Sequence, residues 1–174
     1  MKVALFGGTG FVGSYIIDEL IKSNHKPKLL VREGSEKKLL QADSCEVIPG
    51  NLGDAKALKK TISKADVVIY SIGLVREFPR KGITFQETQF DGVKQTVDIA
   101  IECGIKKYVL VSANGAKLDG TKYQSTKYLA EEYLKHSDLN WTIFRPSLCF
   151  GDPRGGGRPE FCTQLKRDML NLPI

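Results

Sequence analysis

KVALFGGTGFVG, residues 2–13, carries the strongest structural signal in this chain of 174 residues. Lys2–Phe6 is a short apolar run of the kind that forms a buried strand, and glycines follow it at once. Behind the glycines, apolar residues recur at spacings of three and four as far as Ile21, which predicts an amphipathic helix. The chain therefore passes directly from a strand through a glycine turn into a helix.

The glycines of this turn have the spacing Gly8-x-Gly10-x-x-Gly13. In a strand–turn–helix unit, such glycines permit a tight turn, close approach of the backbone to a pyrophosphate, and close packing of helix on strand. The helix N-terminus then presents N–H groups and a positive dipole end to phosphate. A glycine-rich turn that binds nothing is the alternative. The strand and helix on either side favour a dinucleotide site.

Length and composition favour one domain with one substantial core, because 41% of the 174 residues are hydrophobic. The net charge of +6 comes mostly from lysines scattered along the chain, without a basic run of five or more residues. We interpret most of these lysines as solvated surface and disfavour a nucleic-acid partner. A modest positive field would still attract an anionic cofactor.

Cysteine and histidine usage argues against a metal site. The chain has four cysteines, widely spaced and without a C-x-x-C pair, and two histidines. Neither zinc nor a disulfide framework is indicated. No apolar stretch reaches the roughly eighteen residues of a membrane helix, and a strand that begins at residue 2 leaves no room for a signal peptide. We therefore expect no metal, no membrane span and a cytoplasmic location.

The rest of the chain alternates between strand and helix patterns. Further apolar runs of strand length are Lys28–Val31, Cys45–Pro49, Asp66–Tyr70, Lys106–Ser112 and Trp141–Phe144. The helical patterns between them are Ser35–Ala42, a segment that Asp54 caps and that runs through Ile62, Phe85–Ile101, and a segment opened by Tyr123. Apolar runs that need cover on both faces predict a Rossmann-like, doubly wound α/β fold with a parallel sheet.

The residue after the second predicted strand bears on cofactor choice. In a dinucleotide fold, an acidic side chain there bonds the ribose hydroxyls, whereas an arginine accommodates a 2′-phosphate. The chain has Arg32, which favours NADP(H) over NAD(H), with Lys37 and Lys38 as helpers. Glu33 follows directly, so NADH stays an alternative cofactor. The alternative for Arg32 is an exposed arginine at a strand end that does not contact a cofactor.

Tyr123 and Lys127 open the helix that follows the fifth predicted strand, and their spacing of four places them on one helix face. An ordinary tyrosine pKa is about 10, and a nearby ammonium in a partly dry cleft would lower it. Tyr123 would then exchange a proton with a substrate oxygen while hydride moves to or from nicotinamide. Ser112, at the end of the fifth strand, would bond the same oxygen. The alternative for Ser112 is a serine at a strand end that only hydrogen-bonds nearby backbone groups.

These residues, in this order, resemble the short-chain dehydrogenase/reductase superfamily. The stretches GGTGFVG at 7–13, VSANGA at 111–116 and WTIFRPS at 141–147, with Arg32, are most similar to its extended and atypical branch. That branch includes NAD-dependent epimerase/dehydratase proteins, NmrA-like proteins and relatives of the 39 kDa accessory subunit of respiratory complex I. The resemblance runs from residue 1 to about residue 151.

The resemblance implies roles for individual residues. It implies a cofactor-binding set of Gly7, Thr9, Gly10, Phe11, Val12, Gly13, Arg32, Asn51, Leu52, Gly73, Tyr123, Lys127 and Pro146. Within that set, Gly7, Gly10 and Gly13 would hold the pyrophosphate. Tyr123 and Lys127 would contact the nicotinamide ribose as well as serve catalysis.

Two positions depart from the family pattern. Gln89 stands where the family often has an asparagine, which puts a proton relay in doubt. Asn51 and Leu52 stand where an Asp-Leu pair often meets the adenine ring. A plain turn before a capped helix is the alternative for Asn51 and Leu52.

The end of the chain predicts the start of a second region. We expect an NAD(P)-binding Rossmann domain at residues 1–151 and the beginning of a substrate-binding region at 152–174. Gly155–Gly157 predicts a flexible turn and Pro159–Leu172 a helix. Because similar proteins usually continue further, we expect the substrate-binding region to be incomplete, or the pocket to be completed by a partner chain or a homo-oligomer.

The sequence therefore favours an NADP(H)-preferring oxidoreductase or epimerase/dehydratase-like enzyme that acts on a small-molecule substrate. The alternative is a non-catalytic NAD(P)H-binding sensor or assembly protein, as NmrA-like proteins and the complex I subunit are. An RNA-binding protein of this branch would need a continuous basic face, whereas the lysines here are scattered.

Overall fold

A six-stranded parallel sheet forms the centre of the computed structural model, which describes residues 1–154 and 160–171. Its strands are β1 (Lys2–Phe6), β2 (Lys26–Val31), β3 (Glu46–Pro49), β4 (Val67–Tyr70), β5 (Lys107–Val111) and β6 (Asn140–Phe144). They lie in the order β3-β2-β1-β4-β5-β6, and each neighbouring pair is parallel. The predicted Rossmann-like, doubly wound α/β fold is confirmed.

Helices connect the strands. They are α1 (Phe11–Lys22), α2 (Ala55–Ile62), α3 (Gly92–Glu102), α4 (Lys122–Lys135) and α5 (Phe161–Leu170). Asp54 caps α2 as predicted, because its side chain accepts hydrogen bonds from the backbone N–H groups of Lys56 and Ala57. Thr121 and Gln124 form a reciprocal capping box at the start of α4. Local sequence signals therefore fix where both helices begin.

The helix predicted at Ser35–Ala42 is wrong. Two short 3₁₀ turns, Glu36–Lys38 and Ala42–Ser44, occupy this part of the chain. Leu39 packs against the core, but its neighbour Leu40 is 57% exposed. The segment lacks the continuous apolar stripe that would stabilise a full helix by packing.

Other predicted boundaries also shift. Strand β2 begins at Lys26, so Pro27 is paired in the strand opposite Val3. Proline is tolerated there because it lies near the beginning of the strand. The helix predicted at Phe85–Ile101 starts with a π-helix, Gln86–Asp91, that leads directly into α3.

Helix α5 lies within the helix predicted for the end of the chain. That prediction ran from Pro159 to Leu172, and both of these residues lie outside the described ranges. The flexible turn predicted at Gly155–Gly157 also lies outside them. The domain boundary at residue 151 stays a prediction.

The sheet is covered differently on its two faces. One face packs its buried side chains against α2, α3 and α4, and Tyr70 and Tyr108 are completely buried there. The other face packs against α1, around Leu5 and Ile17. Helices on both faces explain why most residues of the inner strands are apolar. No helix in residues 1–154 and 160–171 has the length and apolarity needed to cross a bilayer.

Candidate functional site

A cavity of about 650 Å³ opens at the carboxyl edge of the sheet. Its walls are the glycine turn after β1, the segments after β2, β4, β5 and β6, and the start of α4. Doubly wound sheets bind ligands at this edge, where the strand order reverses, here between β1 and β4. The cavity brings together Thr9, Gly10, Phe11, Val12, Gly13, Arg32, Gly73, Ser112, Tyr123, Lys127 and Pro146, all named from the sequence.

The glycine turn holds its backbone close against neighbouring atoms. Gly7 has a φ of +92°, and a Cβ there would lie 2.8 Å from the carbonyl carbon of Ser71. A Cβ on Gly13 would lie 2.1 Å from the carbonyl oxygen of Gly7. Helix α1 starts after Gly10 with no side-chain cap and no acidic residue in its first turn. Its first N–H groups can therefore bind an anionic ligand.

Ser71 supplies a buried polar atom at the same place. It directly follows β4 and lines the cavity, and its Oγ is buried without a hydrogen-bond partner within the described ranges. A buried hydroxyl without a partner is costly, so a ligand or water atom is expected beside it. Together with the glycine cradle, this hydroxyl makes the residues present fit the polar backbone of a dinucleotide.

Cationic residues line the cavity beyond the carboxyl end of β2. Arg32 directly follows the strand and is exposed, and Ser35 and Lys38 line the same part of the cavity. Lys37 and Glu33 are not among the lining residues. A guanidinium at this strand end can meet a 2′-phosphate.

Three residues of the predicted cofactor-binding set do not line the cavity. Gly7 lies behind the turn and contributes backbone only. The side-chain oxygen of Asn51 accepts a hydrogen bond from the backbone N–H of Gly53 at 2.8 Å, and Leu52 packs against the main core cluster. These contacts are those of a turn before α2, and contact with adenine stays a prediction.

Tyr123 lies half-buried at the start of α4, with its ring edge-on to Phe85 at a centroid distance of 5.6 Å. Burial raises the pKa of its hydroxyl, and the neighbouring thiol of Cys149 acts in the same direction. The expectation that Lys127 lowers this pKa is therefore wrong for the protein without a ligand. Tyr123 stays protonated at neutral pH and is suited to give a proton.

Lys127 lies one turn further along α4 and is only 3% exposed. Its ammonium donates a hydrogen bond to the carbonyl oxygen of Val111 at 3.0 Å. Burial lowers its pKa to about 8, although the carboxylate of Glu131 acts in the opposite direction. Keeping the ammonium charged in this buried position lowers the free energy of unfolding.

We expect Lys127→Met to raise the free energy of unfolding at pH 7. The pKa in the folded state is about 8, below the unfolded value of about 10.5, so the folded state carries a burial penalty of about 3 kcal/mol below pH 8. Loss of the bond to Val111 removes about 1 kcal/mol, which leaves a gain of about 2 kcal/mol. The gain should shrink as the pH rises from 8 towards 10.5, because the ammonium then deprotonates.

Urea unfolding of the ligand-free protein at pH 7 and pH 9.5 measures this difference. Lys122→Met is the matched control, because Lys122 lies on the same helix with a side chain that is 76% exposed. It should change stability by less than about 0.5 kcal/mol. A less stable Lys127→Met variant at pH 7 would show that the ammonium is not held at a cost.

Ser112 and Arg145 meet at a buried carboxylate. Glu131 is completely buried on α4, and Ser112 Oγ donates to its Oε1 at 2.5 Å. Arg145, which directly follows β6, donates to both oxygens of the same carboxylate. Burial acts to raise the pKa of Glu131, but these hydrogen bonds outweigh it and hold the pKa below its ordinary value. The Ser112 hydroxyl therefore donates its hydrogen bond to Glu131. A hydrogen bond from Ser112 to a substrate oxygen stays a prediction.

Gln89 couples the π-helix to α4. It is 1% exposed, accepts a hydrogen bond from Thr126 Oγ1 at 3.0 Å and donates to the carbonyl oxygen of Leu74 at 3.2 Å. Both ends of its side-chain amide are thereby engaged, by Thr126 and by Leu74. Gln89 therefore supports the loop after β4 and the helix that carries Tyr123.

Sequence reasoning missed several residues of the site. Asn114, Leu148, Cys149 and Phe161 also line the cavity. Asn114 lies within the quoted VSANGA stretch, and Glu131, which holds Ser112, follows Lys127 at the spacing by which Lys127 follows Tyr123. No group of three or more His, Cys, Asp or Glu side chains in the described ranges is placed to hold a metal ion.

Comparison with known proteins identifies a family. A family model described as NAD(P)H-binding matches residues 7–165. A ceramide reductase of Caulobacter vibrioides is 30% identical over 115 residues, 66% of this chain and 35% of the relative. The mitochondrial NADH dehydrogenase [ubiquinone] 1 alpha subcomplex subunit 9 of Arabidopsis thaliana is 32% identical over 120 residues, 66% of this chain and 29% of the relative. The matches thus span about a third of these relatives.

Solved structures share the fold. The Bordetella bronchiseptica enzyme WbmH in complex with NAD⁺ matches with a TM-score of 0.76 and 18% identity, over 90% of this chain and 58% of WbmH. A Bacillus halodurans protein of the NAD-dependent epimerase/dehydratase type matches with a TM-score of 0.75 and 26% identity, over 87% of this chain and 72% of that protein.

Proposed function

Because the chain belongs to the NAD(P)H-binding family, whose model spans residues 7–165, we propose that it is an NADPH-dependent reductase of small carbonyl compounds. The observation that carries the proposal is the placement of Tyr123 and Lys127 in the same cavity as the glycine turn. A binding turn without a proton donor would favour a nucleotide-binding protein only. Here the glycine turn and a candidate proton donor line one cavity, which supports the proposal.

An NADPH bound along the glycine turn would supply hydride to a carbonyl carbon. Tyr123 donates its hydroxyl proton to the carbonyl oxygen, and its raised pKa keeps that proton in place until the oxygen becomes basic. Lys127 lies one turn behind it, tied to the carbonyl of Val111, and would hold the nicotinamide ribose beside Tyr123. Tyr123 then regains a proton from solvent. The protonated resting state favours the direction of reduction.

We propose that Arg32 selects the phosphorylated cofactor. Arg32→Ala should weaken NADPH binding about tenfold, because a guanidinium–phosphate contact is lost, and leave NADH binding within about twofold. Calorimetric titration of both cofactors against both proteins measures the difference. Lys37→Ala removes a charge from the same segment at a position that does not line the cavity, and is the control. Equal NADPH affinity in wild type and Arg32→Ala would rule out the phosphate contact.

A second function is favoured by the similarity to the Arabidopsis complex I subunit. In that case the chain binds a dinucleotide without turning it over and serves an assembly. The two functions differ in one measurement, the oxidation of NADPH at 340 nm in the presence of carbonyl compounds. Binding without oxidation would favour the assembly role. The cytoplasmic location and a partner chain or homo-oligomer that completes the pocket also stay proposals.

A further inference from the structure

Apolar side chains line the cavity on the side where Tyr123 lies, because β4 and β6 flank β5, the strand that leads to α4. Leu74 and Val75 come from the segment after β4, Leu148 from the segment after β6, and Phe161 from the start of α5. Val75 is 72% exposed, Leu148 51% and Phe161 50%. Single exposed apolar residues are ordinary, but here three separate segments bring theirs to one cavity. Such a lining fits an apolar ligand group.

The charged residues that line the cavity do not suit a phosphorylated substrate. Within the described ranges, the Lys and Arg residues that line the cavity are Arg32 and Lys38, beyond the carboxyl end of β2, and the buried Lys127. Beside Phe161 stands Glu160, whose carboxylate caps α5 by accepting from the N–H groups of Cys162 and Thr163. Hydrogen bonds from Thr163 and Cys162 lower the pKa of Glu160, so it is ionised at neutral pH. A carboxylate in the cavity wall repels anions.

Asn114 offers the cavity a neutral hydrogen-bond donor. Its backbone N–H donates to the carbonyl oxygen of Pro146, and its side chain is exposed where the residue lines the cavity. Ser112, by contrast, gives its proton to Glu131. An amide donor in the cavity wall suits an uncharged oxygen better than a phosphate, for which cations are the usual partners.

We propose that the site takes uncharged aryl or alkyl ketones and aldehydes, with the carbonyl oxygen at the Tyr123 hydroxyl and the apolar group against Leu148 and Phe161. This inference rests on the proposed reductase function. In the reaction, hydride passes from NADPH to the carbonyl carbon and the Tyr123 proton passes to the oxygen. The carbonyl compound is reduced to an alcohol, NADPH is oxidised to NADP⁺, and Tyr123 regains its proton from solvent.

The test measures binding, apart from turnover. The probe is 6-propionyl-2-(dimethylamino)naphthalene, an uncharged aryl ketone whose emission shifts to the blue in apolar surroundings. It is titrated into the protein saturated with NADP⁺, which cannot donate hydride, and UDP is then added as an anionic competitor. Leu148→Arg places a charge in the apolar wall at an exposed position. Ile101→Arg, on α3 and 49% exposed, is the matched control.

We expect a blue shift on binding, a loss of affinity of about tenfold or more in Leu148→Arg, and wild-type affinity in Ile101→Arg. Absence of a blue shift, equal affinity in Leu148→Arg, or displacement of the probe by equimolar UDP would each overturn the substrate class. Failure of the reductase function looks different. The protein would then not bind NADP⁺, or it would bind both NADPH and the probe and oxidise no NADPH with any carbonyl compound.

Discussion

Tyr123→Phe should lower turnover of a carbonyl substrate by about 10²–10⁴-fold, while the affinity for NADPH stays within about twofold of the wild type. The variant removes one oxygen atom and keeps the ring, so the edge-on contact with Phe85 at 5.6 Å is preserved. Water in the cavity would then have to supply the proton, without the fixed position that the phenol has. The effect should appear in kcat, because the hydroxyl acts on the reacting oxygen.

Stopped-flow measurement of NADPH oxidation under single-turnover conditions, with calorimetric NADPH affinity alongside, tests the role of Tyr123. Tyr128→Phe is the matched control, since Tyr128 lies on the same helix and does not line the cavity. Its single-turnover rate should equal that of the wild type. A Tyr123→Phe rate within threefold of wild type would show that another group gives the proton.

The sheet could be predicted from the sequence because its signals are local. Each inner strand is an apolar run, and the alternation with helical patterns leaves a parallel, doubly wound sheet as the consistent arrangement. The segment Ser35–Ala42 shows the limit of this reasoning. Its residues have no helix-breaking feature, but a helix there would have had no continuous apolar face to pack. Whether a segment packs depends on neighbours distant in sequence.

The site could be predicted only in part, because local spacing does not show how deeply a residue is buried. Spacing places Tyr123 and Lys127 on one helix face, but it does not show how deeply that face is buried. Desolvation therefore reversed the expected direction of the Tyr123 pKa. The orientation of Ser112 depends on Glu131, 19 residues further along the chain, and on Arg145 beyond it. Contacts between separate elements decide which polar groups remain available to a substrate.

The apolar wall of the site carried no local signal. Leu148 is a single apolar residue in an irregular segment, and Phe161 lies near the start of a predicted helix whose pattern does not show what it faces. They become informative because the segments after different strands meet at one edge of the sheet. The cofactor end of the cavity could therefore be read from a motif, whereas the substrate end required the assembled fold.

Gly13→Ala should abolish detectable dinucleotide binding and lower the free energy of unfolding by about 3 kcal/mol. The added methyl would lie 2.1 Å from the carbonyl oxygen of Gly7 and 2.8 Å from the Cα of Gly8. These are backbone atoms, so a rotamer change cannot relieve the clash. Helix α1 must move away from the turn, and its first N–H groups then no longer point where a pyrophosphate would bind.

Thermal and urea unfolding, with NADPH titration by calorimetry, measure both effects of Gly13→Ala. Gly10→Ala gives an intermediate case, because its methyl would lie 3.2 Å from the same Gly7 oxygen. In Gly53→Ala the methyl would meet the side-chain oxygen of Asn51 at 3.2 Å, which can rotate away, so we expect a loss below about 1 kcal/mol. The stability losses should rank Gly13, Gly10, Gly53. A Gly13→Ala protein that binds NADPH like the wild type would mean that the turn does not hold the pyrophosphate, and the cofactor assignment would fail with it.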